Sequence, residues 1–299
     1  MSEAPHMSEG AHPAPPAPTL SRHRRVVTLL CAGAALAVAL TPPLVALLLI
    51  TPNPLKRLAA SSSAPARLQP IEDSLGGAPA WRFPNPGASQ QLLLIHGRSR
   101  DKGWLAPLIE RLAPSFDLVA IDLPGHGASG YGISTFGDRE RRVIRAAVEE
   151  LTAPRRVRRP LIIYGVSMGG SAAILALEGW RPRRLIGLIS DGSYAEIEPI
   201  IGAFGRWLPG PLFSLAKDLA ERWGGFRFSE QHPERAAARL QVPLVALHGR
   251  ADPLIPPAHA ERLAGAAPRG RAVFYAGGHD EPASAAKQAA LIAAIDSLR

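Results

Sequence analysis

Along the chain the first change of polarity is abrupt. Residues 1–21 are rich in Pro, Ala, Ser and His and carry no hydrophobic period, which predicts a disordered tail. The basic cluster Arg22, Arg24 and Arg25 follows, and residues 26–50 then hold no charged side chain at all. About 20 apolar residues cross the hydrocarbon core of a bilayer, so the run is long enough to do so. Thr41, Pro42 and Pro43 fall inside it and predict a kink of the kind membrane helices tolerate. A buried core helix would show a polar stripe, and the run shows none. A cleaved signal peptide has an apolar core of about 7–15 residues, shorter than this one, although the small residues within 59–66 offer a cleavage point. The pattern therefore predicts one transmembrane helix. Three arginines precede it, and Lys56, Arg57 and Arg67 follow, so the positive-inside rule favours an extracytoplasmic remainder only slightly.

Past residue 80 the pattern changes to short apolar runs alternating with amphipathic stretches. Residues 91–96, 117–122, 161–164, 184–190, 242–248 and 271–275 are rich in Val, Ile and Leu and end in Gly, Asp or His. Near-continuous apolar runs suit parallel strands buried on both faces. Helical stretches lie between them at 104–112, 135–151, 168–178, 258–264 and 283–298. Repeated strand–helix alternation predicts an α/β fold, a doubly wound and mostly parallel sheet. The expected organisation is a basic tail (1–25), a membrane helix (26–50), a linker and domain entry (51–79) and one folded domain (80–299).

Composition changes this picture little. The 46% apolar content is that of a globular chain. The formal charge of +9 invites a nucleic-acid or anionic-lipid partner, but no run mixes Lys or Arg with stacking aromatics, so no nucleic acid is expected. A single cysteine, Cys31, excludes a disulfide framework and a thiolate zinc site. The histidines lack spacing such as HExxH, so neither metal nor cofactor is expected.

In an open parallel sheet ligands bind beyond the carboxyl ends of the strands, so the residues just after each run carry the chemistry. Gly165-Val166-Ser167-Met168-Gly169 follows one run and opens a helix. G-x-S-x-G in that setting puts the serine on a strained strand-to-helix turn with its hydroxyl projecting, and Ser167 is the expected nucleophile. Met168, at the helix start, offers a backbone N–H to an oxyanion. A second N–H is expected from His96-Gly97-Arg98-Ser99, with Arg98 the donor and Ser99 the alternative. His96 itself is expected to be a structural histidine. The base must be a histidine held by a carboxylate that fixes its tautomer. Where this motif occurs the order is Ser, acid, His, which selects His279 in Gly277-Gly278-His279-Asp280. Asp252 follows the 242–248 run and is the expected acid; Asp191 and Asp280 compete with it.

His96-Gly97, the stretch from Asp122 to Ser129, Gly165–Gly170, Asp252 and His279 together resemble the α/β-hydrolase superfamily. The likeness runs from about residue 80 to Arg299. The Gly-Val-Ser-Met-Gly turn and Ser190-Asp191-Gly192-Ser193-Tyr194 resemble, more narrowly, bacterial membrane-anchored hydrolases near the Bem46-like group. The resemblance implies a serine hydrolase acting through a Ser-His-Asp triad and an acyl-enzyme. It gives the Asp122–Ser129 stretch a structural role, with none in catalysis for His126. It also implies a lid where the chain makes an excursion, about 192–240, which holds most of the scarce aromatics. Tyr194, Phe204 and Trp207 are the expected substrate-binding rings, and an acyl ester of short to medium chain is the expected substrate. The same rings suit equally the core of a small helical subdomain. The alternatives are the same triad acting as peptidase, thioesterase or acyltransferase, or a non-catalytic binding scaffold of this fold. Arginines gathered before successive strands, among them Arg155, Arg156, Arg158, Arg181, Arg235 and Arg269, predict a basic face opposite the site, either solvated or resting on anionic lipid.

Overall fold

The structure, a computed structural model, describes residues 22–52, 63–130, 132–154, 159–279, 281–282 and 284–298. Residues 1–21, where a tail is expected, Lys56, Arg57, the arginines 155, 156 and 158, and Asp280 lie outside the described residues. Two compact units are present, Met1–Thr41 and Pro42–Arg299. Helix α1, Arg22–Ile50, runs through the boundary, which falls at the proline pair Pro42 and Pro43. Residues Arg24–Ile50 are long and apolar enough to cross a membrane by length and composition. In the first unit Leu29, Leu30 and Leu36 are exposed, whereas Ala46 and Ile50, in the second, are buried in its core.

Eight strands form one sheet: β1 Ile71–Leu75, β2 Ala78–Phe83, β3 Gln91–Ile95, β4 Asp117–Ile121, β5 Leu161–Val166, β6 Leu185–Asp191, β7 Leu244–Gly249 and β8 Gly270–Tyr275. Their spatial order is β1-β2-β4-β3-β5-β6-β7-β8. All pairs from β4 to β8 are parallel, and only β1–β2 and β2–β4 are antiparallel. The six parallel strands fall on the six apolar runs of the sequence, because a strand buried on both faces needs apolar side chains at every position. The antiparallel hairpin was hidden. The linker assigned to 51–79 contains β1, whose Glu72, Asp73 and Ser74 mask any apolar period. Its one local signal is Gly76-Gly77, which turns the hairpin with both residues at positive φ (58° and 81°).

Alternate residues of each strand feed two layers. Leu93, Ile95, Val119 and Ile163 face one, and Leu92, Leu94, Leu118 and Ile162 face the other. Helices α2 (Ala106–Leu112), α3 (Asp138–Leu151), α4 (Met168–Ala176), α5 (Glu198–Gly205), α6 (Gly210–Gly224), α7 (Pro233–Ala237), α8 (Ala258–Ala266) and α9 (Ala285–Asp296) cover them. The first layer takes Ile144 of α3, Ala172 of α4 and Leu263 of α8; the second takes Leu108 of α2 and Leu291 of α9. Helices on both faces make the sheet doubly wound, as expected. The excursion between β6 and β7 holds α5, α6, a short turn at Phe228–Glu230 and α7. At the amino ends of the strands several arginines are already engaged. Arg159 bonds Asp117 and the carbonyls of Asn85 and Pro86, Arg239 pairs with Glu178, and Arg269 bonds the Gln241 carbonyl.

Candidate active site

β5 ends at Val166 and α4 begins at Met168, leaving Ser167 alone to turn the chain. It does so with φ 52° and ψ −121°, a left-handed backbone that costs a non-glycine residue about 1–3 kcal/mol. The surroundings hold it there. Its N–H donates to the Asp191 carbonyl at 2.7 Å, and the Ser193 hydroxyl donates to its own carbonyl at 3.1 Å. The two motif glycines permit the close approach the turn requires. A Cβ on Gly165 would stand 2.6 Å from the Cα of Gly170, and one on Gly169 would stand 2.4 Å from the carbonyl oxygen of His96.

The structure brings His279, 112 residues further along, to this serine: its Nε2 lies 3.0 Å from Ser167 Oγ. Its Nδ1 lies 2.6 Å from Asp252 Oδ2. With the carboxylate ionised, Nδ1 must carry the proton and donate, so Nε2 is left to accept from the serine hydroxyl. Asp252 is well furnished. Its Oδ1 accepts from the N–H groups of Leu254 and Ile255, each at 2.9 Å, and His248 Nε2 stands 3.2 Å from its Oδ2. Burial pushes its pKa up, but the hydrogen bonds from His248, His279 and Ile255 outweigh burial and hold the carboxyl well below the usual range. His248 is the penultimate residue of β7 and reads in the sequence as a strand residue only. Its Nε2 also donates to the Ile255 carbonyl at 2.8 Å, which fixes its tautomer.

Asp191, the competing acid, is bound elsewhere. Its carboxylate accepts from the hydroxyls of Tyr164 (2.6 Å) and Tyr275 (3.0 Å) and lies 3.0 Å from the buried Lys287 ammonium. His96 is fully buried and spends both ring nitrogens on backbone. Nδ1 donates to the Gly97 carbonyl, and Nε2 accepts from the Leu123 N–H. Desolvation lowers its pKa, with Asp122 opposing, so it remains neutral. His126 bonds the Pro124 carbonyl, and Asp122 ties its loop to Lys102 through the backbone N–H and the side chain.

Met168 is the first residue of α4, so its N–H has no acceptor within the helix. Arg98 lies on the loop after β3, where a Cβ on neighbouring Gly97 would stand 3.2 Å from Ser167 Cβ. The Arg98 side chain turns away from the serine. From Nη2 it donates to the carbonyls of Leu48 (3.2 Å), Leu49 (2.8 Å) and Thr51 (2.7 Å) at the end of α1. Its guanidinium also stacks 5.0 Å over the Phe136 ring. Burial draws its pKa down to about 10, against Glu140 and Tyr194, which leaves it charged at neutral pH.

A largely apolar cavity of about 420 Å³ opens over Ser167 and His279, within the range of ligand sites. Arg98, Met168, Tyr194, Phe204 and Trp207 all line it. The aromatics of the excursion divide: Phe213 joins this lining, whereas Phe226 and Phe228 stack with Phe136 in the core. Tyr194 is itself 2% exposed and donates its hydroxyl to the Phe136 carbonyl. A more open cleft of about 550 Å³ on the surface of α6, lined by Asp218, Glu221, Arg227 and Glu230, shares none of these groups.

Known proteins are similar to parts of this chain and to its fold. Pimeloyl-[acyl-carrier protein] methyl ester esterase of Xanthomonas oryzae is 37% identical over 90 residues, 30% of this chain and 32% of that protein. The Stenotrophomonas maltophilia protein of the same name is 51% identical over 43 residues, 14% of this chain and 17% of its own. The chain therefore spans about a third or less of the length of these curated relatives. Among solved structures, the Pyrococcus furiosus esterase Pf2001 superposes with a TM-score of 0.58 at 18% identity, over 77% of this chain and 90% of its own. A bacterial membrane phospholipase A superposes with a TM-score of 0.56 at 20% identity, over 92% of this chain and 97% of its own. Identities this low speak for the fold alone. Residues 92–295, more than half of the chain, match the model of the Alpha/beta hydrolase family, and to that family this protein belongs.

Proposed function

We propose that this protein is a membrane-anchored serine hydrolase that cleaves acyl esters through an acyl-enzyme. The observation that carries the reading is His279, which bridges Ser167 Oγ at 3.0 Å and Asp252 Oδ2 at 2.6 Å at the floor of an apolar cavity. Ser167 is the nucleophile, His279 the base and Asp252 the orienting acid. His279 Nε2 takes the serine proton as Oγ bonds the ester carbon, and the carbonyl becomes an oxyanion between the N–H groups of Met168 and Arg98. When the C–O bond to the alcohol breaks, His279 returns that proton to the leaving oxygen. Water then enters by the same steps in reverse order, releasing the acid and restoring Ser167. The partial likeness to methyl ester esterases supports an ester over a peptide bond. In this reading Tyr194, Phe204 and Trp207 receive the acyl group, and the excursion between β6 and β7 is the lid.

The apolar helix is the anchor, and residues 80–299 with the β1–β2 hairpin are the catalytic domain, extracytoplasmic on the slight charge asymmetry. The length and apolar composition of Arg24–Ile50 support a bilayer setting. Membership near the Bem46-like group rests on the residues around Ser167 and Asp191. A fluorophosphonate probe on the full-length protein in detergent tests the core of the reading. Wild type should label, and Ser167→Ala and His279→Ala should not. Labelling that persists in Ser167→Ala would place the nucleophile elsewhere.

A further inference from the structure

The end of α1 is built into the second unit more thoroughly than a tether requires. A helix leaves its last four carbonyls without intrahelical partners. Here all four are met. Leu47 accepts from the Thr51 N–H, Leu48 and Leu49 accept from Arg98, and Ile50 accepts from the Ser134 N–H at 2.7 Å. The guanidinium that supplies two of these bonds belongs to the loop expected to stabilise the oxyanion. A positive charge at a helix C-terminus is also favoured by the helix dipole. The helix end and the oxyanion loop are thus parts of one hydrogen-bonded assembly.

The same turns reach the cavity. Val45, Leu48 and Leu49 line it together with Ser167 and His279, and their spacing of three and four puts them on one helix face. Ala46 and Ile50 lie in the core, and Val45 and Leu49 are shared between core and cavity. Leu48 is 62% exposed, so its side chain is not consumed by packing and remains open to a ligand. The same cavity is lined by apolar groups of the excursion, among them Ile201, Phe204 and Trp207, of which Trp207 is 68% exposed.

We propose that residues 45–50 of the apolar helix form a wall of the acyl pocket, clamped to the oxyanion loop by Arg98, so that the substrate's acyl chain lies against Leu48 and Leu49. The proposal rests on the ester-hydrolase reading and sharpens it. Esters whose chains are long enough to reach the helix gain apolar contact that acetate does not, and chain-length preference is set by the anchor as well as by the excursion. Arg98 acts as a positioning residue: its side chain holds the loop whose N–H meets the oxyanion.

The test uses the full-length enzyme in detergent with p-nitrophenyl esters from acetate through laurate. Leu48→Trp puts bulk into the cavity, whereas Leu44→Trp puts it on an exposed position of the same helix outside the lining. The ratio of kcat/KM for laurate over acetate should fall about tenfold or more in Leu48→Trp, the scale on which a pocket discriminates by chain size. It should stay at the wild-type value in Leu44→Trp. An unchanged ratio in Leu48→Trp, or the same change in both, overturns the wall. Arg98→Lys keeps the charge but loses the planar fork. It should lower kcat for every ester by about tenfold to a hundredfold with KM little changed. A lower melting temperature with kcat intact would reduce the clamp to a structural contact and overturn its positioning role. Wild type that neither labels with the probe nor cleaves any ester would sink the hydrolase reading itself, and the wall with it.

Discussion

Asp252 shows how much a single side chain is asked to do. Four donors converge on its two oxygens, two of them backbone groups and two of them imidazoles. Asp252→Asn keeps an acceptor for Leu254 and Ile255 but gives His279 the wrong partner, so kcat should fall about 10³–10⁴-fold with the melting temperature little changed. His248 holds the same carboxylate from the other side, and His248→Leu deletes one of the bonds that depress its pKa. A depressed carboxyl stabilises the fold at pH above its unfolded value of 3.8, and that stability is lost as pH falls through the lower folded value. Removing His248 brings the folded pKa closer to the unfolded one, so the loss still begins near the unfolded value but should be smaller and complete at a higher pH. Melting curves taken from neutral to acid pH, wild type against His248→Leu, read this directly; parallel curves would show that His248 does not set the carboxylate's pKa.

At the scale of elements, the decisive unit is strand β5, the turn at Ser167 and helix α4. The turn works because two backbones nearly touch, and Gly169 stands where the loop after β3 crosses the start of α4. Gly169→Ala places a methyl 2.4 Å from the His96 carbonyl, so one of the two must move. Overpacking of that kind costs about 1–3 kcal/mol, and it displaces the loop that carries Arg98. Denaturant unfolding should show the loss, and the probe should label the variant more slowly than wild type. The hairpin of β1 and β2 makes a separate case. Gly76 turns at φ 58° with its Cα against α3, where a Cβ would stand 2.4 Å from the Ala147 nitrogen. Gly76→Val should therefore lower the melting temperature while leaving the distance between Ser167 and His279 undisturbed; kcat measured well below the melt should match wild type.

For the whole molecule, the boundary at Pro42 makes truncation informative. A chain starting at Pro42 keeps the acceptors of Arg98 and the Ile50 carbonyl that meets Ser134. A chain starting at Pro52 strips Leu48, Leu49 and Thr51 from a buried guanidinium and uncovers apolar core beside them. Unmet hydrogen bonds of a buried charged group cost about 1–3 kcal/mol or more. The shorter chain should melt lower and label poorly, while the longer one should melt near the full-length value. Equal behaviour of the two would mean that residues 42–51 contribute nothing to the fold.

Unbroken apolar runs mark the parallel strands in the chain, because two-sided burial demands them. The sequence also pointed to Ser167, Asp252 and His279, because a parallel sheet gathers its strand ends at one edge and chain order separates acid from base. Strand β1 leaves no such mark because an edge strand has a solvent face and needs no apolar run. Which carboxylate meets His279, and that His248 stands behind it, depends on loop paths that no local period records. The same holds for α1. Its apolar residues look alike in the chain, yet Ala46 and Ile50 fill the core, Leu48 faces the cavity and Leu29 remains exposed. Composition states how apolar a helix is; which neighbours each of its faces meets is set by packing at long range.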